Sequence, residues 1–346
     1  MRHLKTLINK VKITKARKFI YVRPFDGLPS EDDLKIVEEE LPELKDGEFL
    51  AQAVFLSVDP YMRAYTYRLP LGSTMMGSQV AKIIDSKNDN YPIGKHVVGE
   101  FGWRTLTVAT ATPGGLLKRA PYLVPDAETI PLSLFLGILG MPGNSAYFGF
   151  LEICKPLHGS TVAISGAGGA VGSHVGQIAK IKSCNVIGIS GSDEKNIWLR
   201  SIGFDHVINY KTEDVAQALK RCAPNGVDCY FDNVGGELSS QIIQRMNRYG
   251  RIAVCGSISS YNVKPGQLPK ATIMQPSVVM NELEMKGFLV STWKHRWMEG
   301  INQNLKWFLD GKLLYRETVT NGFEIMPQAL RGVLVGNNIG KAIVKV

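Results

Sequence analysis

The chain has 346 residues, of which 45% are hydrophobic and 21% charged, with 35 glycines and 17 prolines. This composition excludes a mainly disordered chain, a collagen-like repeat and a disulfide-stapled miniprotein, and a chain of this size buries roughly 75% of its unfolded surface, usually across about two domains. The net charge of +9 invites a nucleic-acid or anionic-membrane partner, but Arg2, Lys5, Lys10, Lys12, Lys15, Arg17 and Lys18 all fall in the first 18 residues without one acid, leaving 33 basic against 31 acidic side chains elsewhere.

In chain order, residues 1–14 form a basic extension with Leu4, Leu7, Ile8 and Val11 at helical spacing. A transit peptide has this texture, but the segment holds no serine and favours lysine over arginine, so a frayed extension is the preferred expectation. From about 19 to 125, the β-rich runs "KFIYVRPF", "EFLAQAVFLSV", "QVAKIIDS" and "KHVVGEFGWRTLTV" alternate with turns at Pro60, Pro92, Pro113 and Gly114-Gly115. That is the pattern of a compact β domain. The apolar run "IPLSLFLGILGMPG" at 130–143 is broken by Ser133, Gly137 and Gly140 and is too short to cross a membrane; it reads as a buried element.

From about 159 strands alternate with helices. "STVAIS", "NVIGIS", "HVINY", "VDCYFDNV" and "GRIAVCGS" are predicted strands, with helices over 170–182, 193–202, 213–222 and 237–248. Such alternation implies a parallel, doubly wound sheet. The last run, "GKAIVKV", is a strand that returns to the first domain. The expectation is therefore an α/β fold: a mostly β domain over 15–140, a doubly wound parallel sheet domain over 141–312 inserted into it, and a C-terminal return over 313–346.

After the strand at 160–165 comes "SGAGGAVGSHVGQIAK". The G-x-G-x-x-G fingerprint is not met literally, because Val171 stands where Gly166 and Gly168 require a glycine. Ala167, Gly169 and Gly172 fit the spacing, with alanine in the first place. Between a buried strand and a helix, this loop is expected to hold a pyrophosphate on backbone N–H groups and the helix dipole. The second strand runs into "SGSDEK". Asp193 and Glu194 lie near the distance for gripping a ribose hydroxyl of NAD, but look like the first turn of a helix; Ser192 and Lys195 suit the extra phosphate of NADP. Local chemistry leans only slightly to NADP.

Five cysteines, Cys154, Cys184, Cys222, Cys229 and Cys255, form no C-x-x-C pair, and no N-x-[ST] acceptor occurs. This fits a reduced, cytoplasmic protein, a mitochondrial address resting only on the basic extension. The first domain holds no cysteine, and His96 with Glu100 is the nearest approach to a ligand pair, so no metal is expected. Another group must then stabilise charge developing on a substrate.

Several segments carry a family resemblance: "SVDPYMRAY", "TMMGSQVAKIIDSKN", "GAVGSHVGQIAK", "GSDEK", "GFDHVINYKT", "DCYFDNVGGE", "GRIAVCGSISSYN" and "NIGKAIVKV". Over residues 15 to 346 the chain resembles the prostaglandin reductases, the zinc-independent branch of the medium-chain dehydrogenase/reductase superfamily. The resemblance implies a Rossmann domain inserted in a GroES-like domain. It also implies NADPH-dependent reduction of carbon–carbon double bonds conjugated to a ketone or aldehyde. Its cofactor contacts fall on Gly169, Ala170, Val171 and Gly172 for the pyrophosphate, and on Lys195 and Tyr210 for the adenosine 2′-phosphate. Asn233, the stretch Cys255, Gly256, Ser257, Ile258, Ser259, Ser260 and Tyr261, then Phe288, Leu289 and Val290, approach the nicotinamide. Asn338 reaches back from the C-terminal strand.

The implied chemistry delivers a hydride to the β-carbon of an enone, and a hydroxyl donor steadies the enolate oxygen. Tyr261 is the expected catalytic donor and Tyr61 of "DPYMR" a second pocket hydroxyl, since a tyrosine stays protonated at neutral pH. Arg63 and Met75-Met76 are pocket candidates left outside the catalytic set. The expected partner is a small enone or enal, an oxo-eicosanoid or lipid-peroxidation aldehyde; no nucleic acid or membrane is expected, and a homodimer is implied by the resemblance alone. Within enzymes the alternative is a quinone or mitochondrial enoyl-thioester reductase on the same scaffold. From another class it is an RNA-binding protein retaining a dinucleotide fold, against which stands the lack of a basic, aromatic-interleaved stripe beyond residue 18.

Overall fold

A computed structural model describes residues 15–125, 130–264, 266–267 and 269–346; the basic extension and its proposed targeting role lie outside the described residues. The chain begins with an antiparallel ribbon, β1 (Lys15–Tyr21) and β2 (Leu34–Glu40). Here the remaining basic residues of the N-terminal cluster find acids: Lys15 faces Glu38 and Glu40, Lys18 pairs with Glu39, and Arg17 pairs with Glu324. Opposite charges across neighbouring strands support the pairing. β2, in which Leu34, Ile36 and Val37 are followed by a run of glutamates, was not among the predicted strands.

The mostly β unit is built on β3 (Glu48–Val58), β4 (Gln79–Ser86), β5 (His96–Gly99), β6 (Leu106–Thr110) and β7 (Tyr122–Leu123). β3 and β4 match their predicted runs residue for residue. The run predicted as one strand from "KHVVGEFGWRTLTV" is two, β5 and β6, because Gly102 takes a positive φ of 77° and turns the chain between them. The apolar run at 130–143 is buried, as a short 3-10 turn over Leu132–Leu136 that leads into the helix Met141–Phe148.

The second sheet is entirely parallel: β8 (Thr161–Ser165), β9 (Asn185–Ser190), β10 (His206–Asn209), β11 (Val227–Asp232), β12 (Met246–Val254) and β13 (Glu284–Gly287). Its order is β10-β9-β8-β11-β12-β13, the doubly wound order with the switch between its first and fourth strands. Val162, Ala163 and Ile164 of β8 are fully buried, as a strand covered on both faces requires. The predicted helices are observed over Ala170–Ile181, Asp193–Ser201, Val215–Cys222 and Gly236–Ile243. The last stops five residues short of its predicted end: Ile242, Ile243 and Met246 have helical spacing, but Met246 already pairs with Val227 as the first residue of β12.

β14 (Glu317–Asn321) and β15 (Lys341–Lys345) then join the antiparallel sheet, with β15 running against Phe55 to Val58 of β3. The Lys341 ammonium, fully enclosed, donates to the Val58 carbonyl at 2.8 Å and to Asp59 Oδ1 at 2.7 Å. This buried pair fastens the C-terminal strand beside the "DPYMR" turn; removing one partner of such a pair costs about 3–5 kcal/mol.

Candidate active site

The glycine loop leaves β8 through Gly166, which takes φ +60°, and the helix starts after Gly169. The tight turn is therefore made by Gly166. Ala167, expected in that place, is fully buried and only occupies the next position. The third role falls where expected: a Cβ on Gly172 would lie 2.5 Å from the Gly166 carbonyl oxygen, so only glycine lets the helix seat on the loop. Gly169, Ala170, Val171 and Gly172 thus form the first helical turn, with N–H groups lacking intrahelical acceptors. Gly340 donates to the Gly168 carbonyl at 2.9 Å, and the Asn338 carboxamide donates to the Gly340 carbonyl at 2.8 Å. The C-terminal return thereby lies against the loop.

At the end of β9 the residues sort by charge. Ser192 caps the next helix by accepting from the Lys195 amide at 3.3 Å. The two acids are engaged elsewhere: Asp193 accepts from the Asn209 carboxamide at 2.7 Å, and Glu194 pairs with Arg316 at 2.9 Å. The stem of Lys195 crosses Gly168, its ammonium donates to the Gly336 carbonyl at 2.7 Å, and burial lowers its pKa with help from the nearby Lys211 charge. The Tyr210 ring lies on Gly191, where a Cβ would be 2.8 Å from its hydroxyl oxygen. Two cations and two hydroxyls thus meet where a ribose phosphate would sit, with no free acid to grip a hydroxyl. Lys211, absent from the predicted set, was visible as the next residue in "NYKT".

At the switch point Asp232 is buried and holds both sides of the crevice. It accepts from the Ser165 hydroxyl and the Val234 and Gly235 amides, each at 2.9 Å, and from Ser239 at 2.7 Å. The Asn233 carboxamide donates to the Ser165 carbonyl at 2.8 Å. After β12, the Cys255 and Gly256 amides donate to the Asp232 carbonyl, and burial pushes the Cys255 thiol up to about 12, an inert apolar group. Ser257 Oγ lies 2.9 Å from that of Ser260, Ser259 donates to the Val234 carbonyl, and Ile258 to Ser260 form a short 3-10 turn that presents Tyr261. Of 288–290, Phe288 points its ring into the core against Gly149 and Trp293, Val290 is buried, and Leu289 is half exposed. Of the three, only Leu289 keeps an exposed side chain.

The two tyrosines come from separate segments and both pack on the apolar cluster around Met62 and Met75, but the tyrosine that acts on Tyr261 is Tyr65, which the sequence reading did not single out. The Tyr261 hydroxyl accepts from the Ser257 amide at 3.1 Å and stands above Gly256, where a Cβ would be 2.8 Å away. Burial raises its pKa, so the proton stays available to donate. Tyr61 is raised well above 10 by burial, by Asp59 and by Glu100, partly offset by a hydrogen bond with the Ser78 side chain. Arg63 donates to the Gly27 and Phe25 carbonyls, and Met75 is wholly buried; both are scaffold.

Glu100, just past β5, was noted in the sequence only as a poor metal ligand. Burial pushes its carboxyl up to about 7, against the Leu117 amide, which donates to it at 2.8 Å, and the Arg119 charge. A carboxyl raised in the fold contributes stability below its unfolded pKa and loses it as pH rises through its folded pKa. The span from 4.5 to about 7 corresponds to an upper bound on the order of 3 kcal/mol. Thermal melts of Glu100→Gln are expected to exceed the wild type's above pH 8 and to converge with them near pH 4.5; a wild type that gains on the variant as pH rises contradicts this assignment.

Among the described residues no group of three or more His, Cys, Asp or Glu is placed to hold a metal ion, and no helix is long and apolar enough to cross a membrane. The dinucleotide crevice does fit NADP(H), as the Gly172 contact and the Lys195–Tyr210 corner show.

Comparison with known proteins agrees. Residues 17–117 match a family described as the N-terminal domain of oxidoreductase, and 170–306 one described as zinc-binding dehydrogenase. The chain is 47% identical to prostaglandin reductase 1 of Oryctolagus cuniculus over 332 residues, covering 95% of this chain and 93% of that protein. It is 38% identical to the NADP(+)-dependent 2-alkenal reductase of Nicotiana tabacum, covering 92% and 94% respectively. The crystal structure of CurA from Vibrio vulnificus in complex with NADPH superposes with a TM-score of 0.87 at 32% identity, over 95% of this chain and 99% of that one. By sequence and by fold, this chain belongs to the prostaglandin reductase family of medium-chain dehydrogenases/reductases.

Proposed function

We infer that this chain is an NADPH-dependent reductase of the carbon–carbon double bond in α,β-unsaturated ketones and aldehydes, of the 15-oxoprostaglandin and 2-alkenal type. The observation that carries the reading is the Tyr261 hydroxyl, protonated and anchored by the Ser257 amide beside the switch-point crevice. NADPH, when bound, supplies a hydride to the β-carbon. Tyr261 donates its proton in a hydrogen bond to the carbonyl oxygen, where negative charge grows as the double bond is reduced. Accepting from a backbone amide strengthens the tyrosine as a donor. Tyr61 is taken as the second pocket hydroxyl, a reading supported by its burial and its hydrogen bond with Ser78. NADPH oxidation measured with an oxoprostaglandin, a simple alkenal, a quinone and an enoyl thioester tests this: turnover is expected with the first two, and turnover confined to the thioester refutes it.

The same proposal takes the substrate as an oxo-eicosanoid or lipid-peroxidation aldehyde and the enzyme as a cytoplasmic homodimer. Five free thiols suit a reducing compartment. β13 is an edge strand with every residue exposed, beside exposed Val279 and Met280, and an open edge with apolar neighbours is a pairing surface. Sedimentation at micromolar concentration is expected to give the mass of two chains, shifted toward one by Met280→Asp; a monomeric wild type overturns the pairing.

A further inference from the structure

The short helix Tyr61–Ala64 sets a third tyrosine beside the two already described. The Tyr65 amide donates to the Tyr61 carbonyl at 2.9 Å, which closes one helical turn and puts the two side chains on one face. Their rings meet edge to face, with centroids 6.2 Å apart. The Thr66 hydroxyl donates to the Arg63 carbonyl at 2.9 Å and fixes the turn from which Tyr65 projects. Arg68 covers the Tyr65 ring, its guanidinium carbon 5.0 Å from that centroid and 5.2 Å from the centroid of Tyr67. Its Nε donates to the Tyr67 hydroxyl at 2.8 Å, and among the described residues Arg68 makes no ion pair.

The three hydroxyls differ in what else they hold. That of Tyr61 is committed to the Ser78 side chain, and that of Tyr261 to the Ser257 amide. Tyr65 is half-buried, and among the described residues its hydroxyl has no hydrogen-bond partner. It still lies within electrostatic reach of Tyr261, whose pKa is raised mainly by burial, with Cys255 and Tyr65 adding to the effect. Reduction of an enone calls for two donors of different kinds. Hydride on the β-carbon leaves an enolate, its charge shared between the carbonyl oxygen and the α-carbon. The donor at the oxygen must be held still, because it steadies charge as that charge grows. The donor at the α-carbon must give its proton away and be reloaded, so it needs an unengaged hydroxyl and contact with water. Its backbone anchor makes Tyr261 the first kind; the free, partly exposed hydroxyl of Tyr65 is the second. Oxygen and α-carbon hang from one carbonyl carbon, so the two donors must be neighbours. Arg68 helps further, since the negative charge left on the Tyr65 ring forms beside a cation.

We propose that Tyr65 is the general acid that protonates the α-carbon of the substrate. This rests on the enone-reductase reading and adds to it the donor for the second half of the reaction. Hydride addition at the β-carbon moves the π electrons of the double bond onto the α-carbon and the carbonyl oxygen. The Tyr65 O–H bond then breaks, its proton forms the new C–H bond at the α-carbon, and the carbonyl double bond is restored. Water returns a proton to the Tyr65 oxygen. One hydride and one proton are thereby added across the double bond.

The experiment reduces straight-chain alkenones in D2O with wild type, Tyr65→Phe and Tyr261→Phe, after an NADPH fluorescence titration of each. NMR after chiral derivatisation reads the configuration of the deuterium at the α-carbon of the product ketone. The wild type is expected to place that deuterium in one configuration only. Tyr65→Phe keeps the ring and the contact with Arg68 but has no proton to give. Its product is expected to carry both configurations equally, from protonation by water, with kcat about 100-fold lower, the smaller end of what a positioned acid contributes. Tyr261→Phe is expected to be slow and to keep the wild-type configuration. A merely structural role for Tyr65 would lower the rate and leave the configuration intact, so that result overturns the proposal. Random deuteration by the wild type overturns it too, as does a loss of configuration in Tyr261→Phe alone. If Tyr65→Phe fails to bind NADPH, Tyr65→Met is measured in its place and judged by the same outcome. A wild type that reduces no alkenone refutes the underlying enone-reductase reading instead, which keeps the two failures apart.

Discussion

Replacing Tyr261 with phenylalanine is expected to lower kcat about 100-fold while changing the dissociation constant for NADPH less than threefold. Removing one positioned donor from a developing oxyanion costs on the order of 100- to 1,000-fold in kcat. The ring of Tyr261 packs on the apolar cluster of the first domain, and phenylalanine preserves that contact. What disappears is the proton, and with it the hydroxyl oxygen that accepts from the Ser257 amide. Since burial raises the pKa of Tyr261 above 10, ionisation of this group should not limit the wild type below that pH. Stopped-flow single turnovers with an alkenal, beside fluorescence titration with NADPH, read the two quantities separately. Unchanged turnover removes Tyr261 from the chemistry, and an equal loss in cofactor binding makes its role structural.

Lys195→Ala is expected to weaken NADPH binding about 30-fold and NADH binding less than threefold, so that the preference between them collapses. A charge-assisted hydrogen bond to phosphate is worth about 1.5–3 kcal/mol, or roughly 10- to 150-fold. Lys195 begins partly desolvated and next to Lys211, so both cations gain when a dianion arrives. Asp193 and Glu194 cannot compensate for NADH, since they are turned to Asn209 and Arg316. Titrating both cofactors against both proteins checks the difference, and equal weakening of the two would place Lys195 outside the 2′-phosphate site.

Lys195 was legible from the residues that follow the second strand of the parallel sheet and Tyr261 from the family resemblance, while most strands were legible because each belongs to a local pattern. β3 and β4 announce themselves through alternation and β-branched residues, and the glycine loop through its place between a buried strand and a helix. Local pattern failed where backbone geometry or distant pairing took over. Gly166, not Ala167, makes the turn because the chain needs a positive φ there, a demand that spacing alone does not reveal. β2 and β14 become strands by pairing with β1 and β15, although their own residues are polar and exposed along much of their length.

The sequence by itself determined the two-part α/β architecture and the place of the dinucleotide loop, and the family resemblance it carries named Lys195, Tyr210 and the two tyrosines as candidates. It also placed most of the excess charge at one end, where Lys15, Arg17 and Lys18 proved to be partners of acids on β2 and of Glu324. Only the tertiary structure decided how the charged groups near Tyr61 are held. Asp59 meets Lys341, Glu100 meets the Leu117 amide, and Arg119 sits between Tyr122 and Trp297, from segments far apart along the chain. The physical reason is burial. A lone arginine or glutamate in sequence is a solvated charge, and its shifted pKa exists only once folding has removed the water around it.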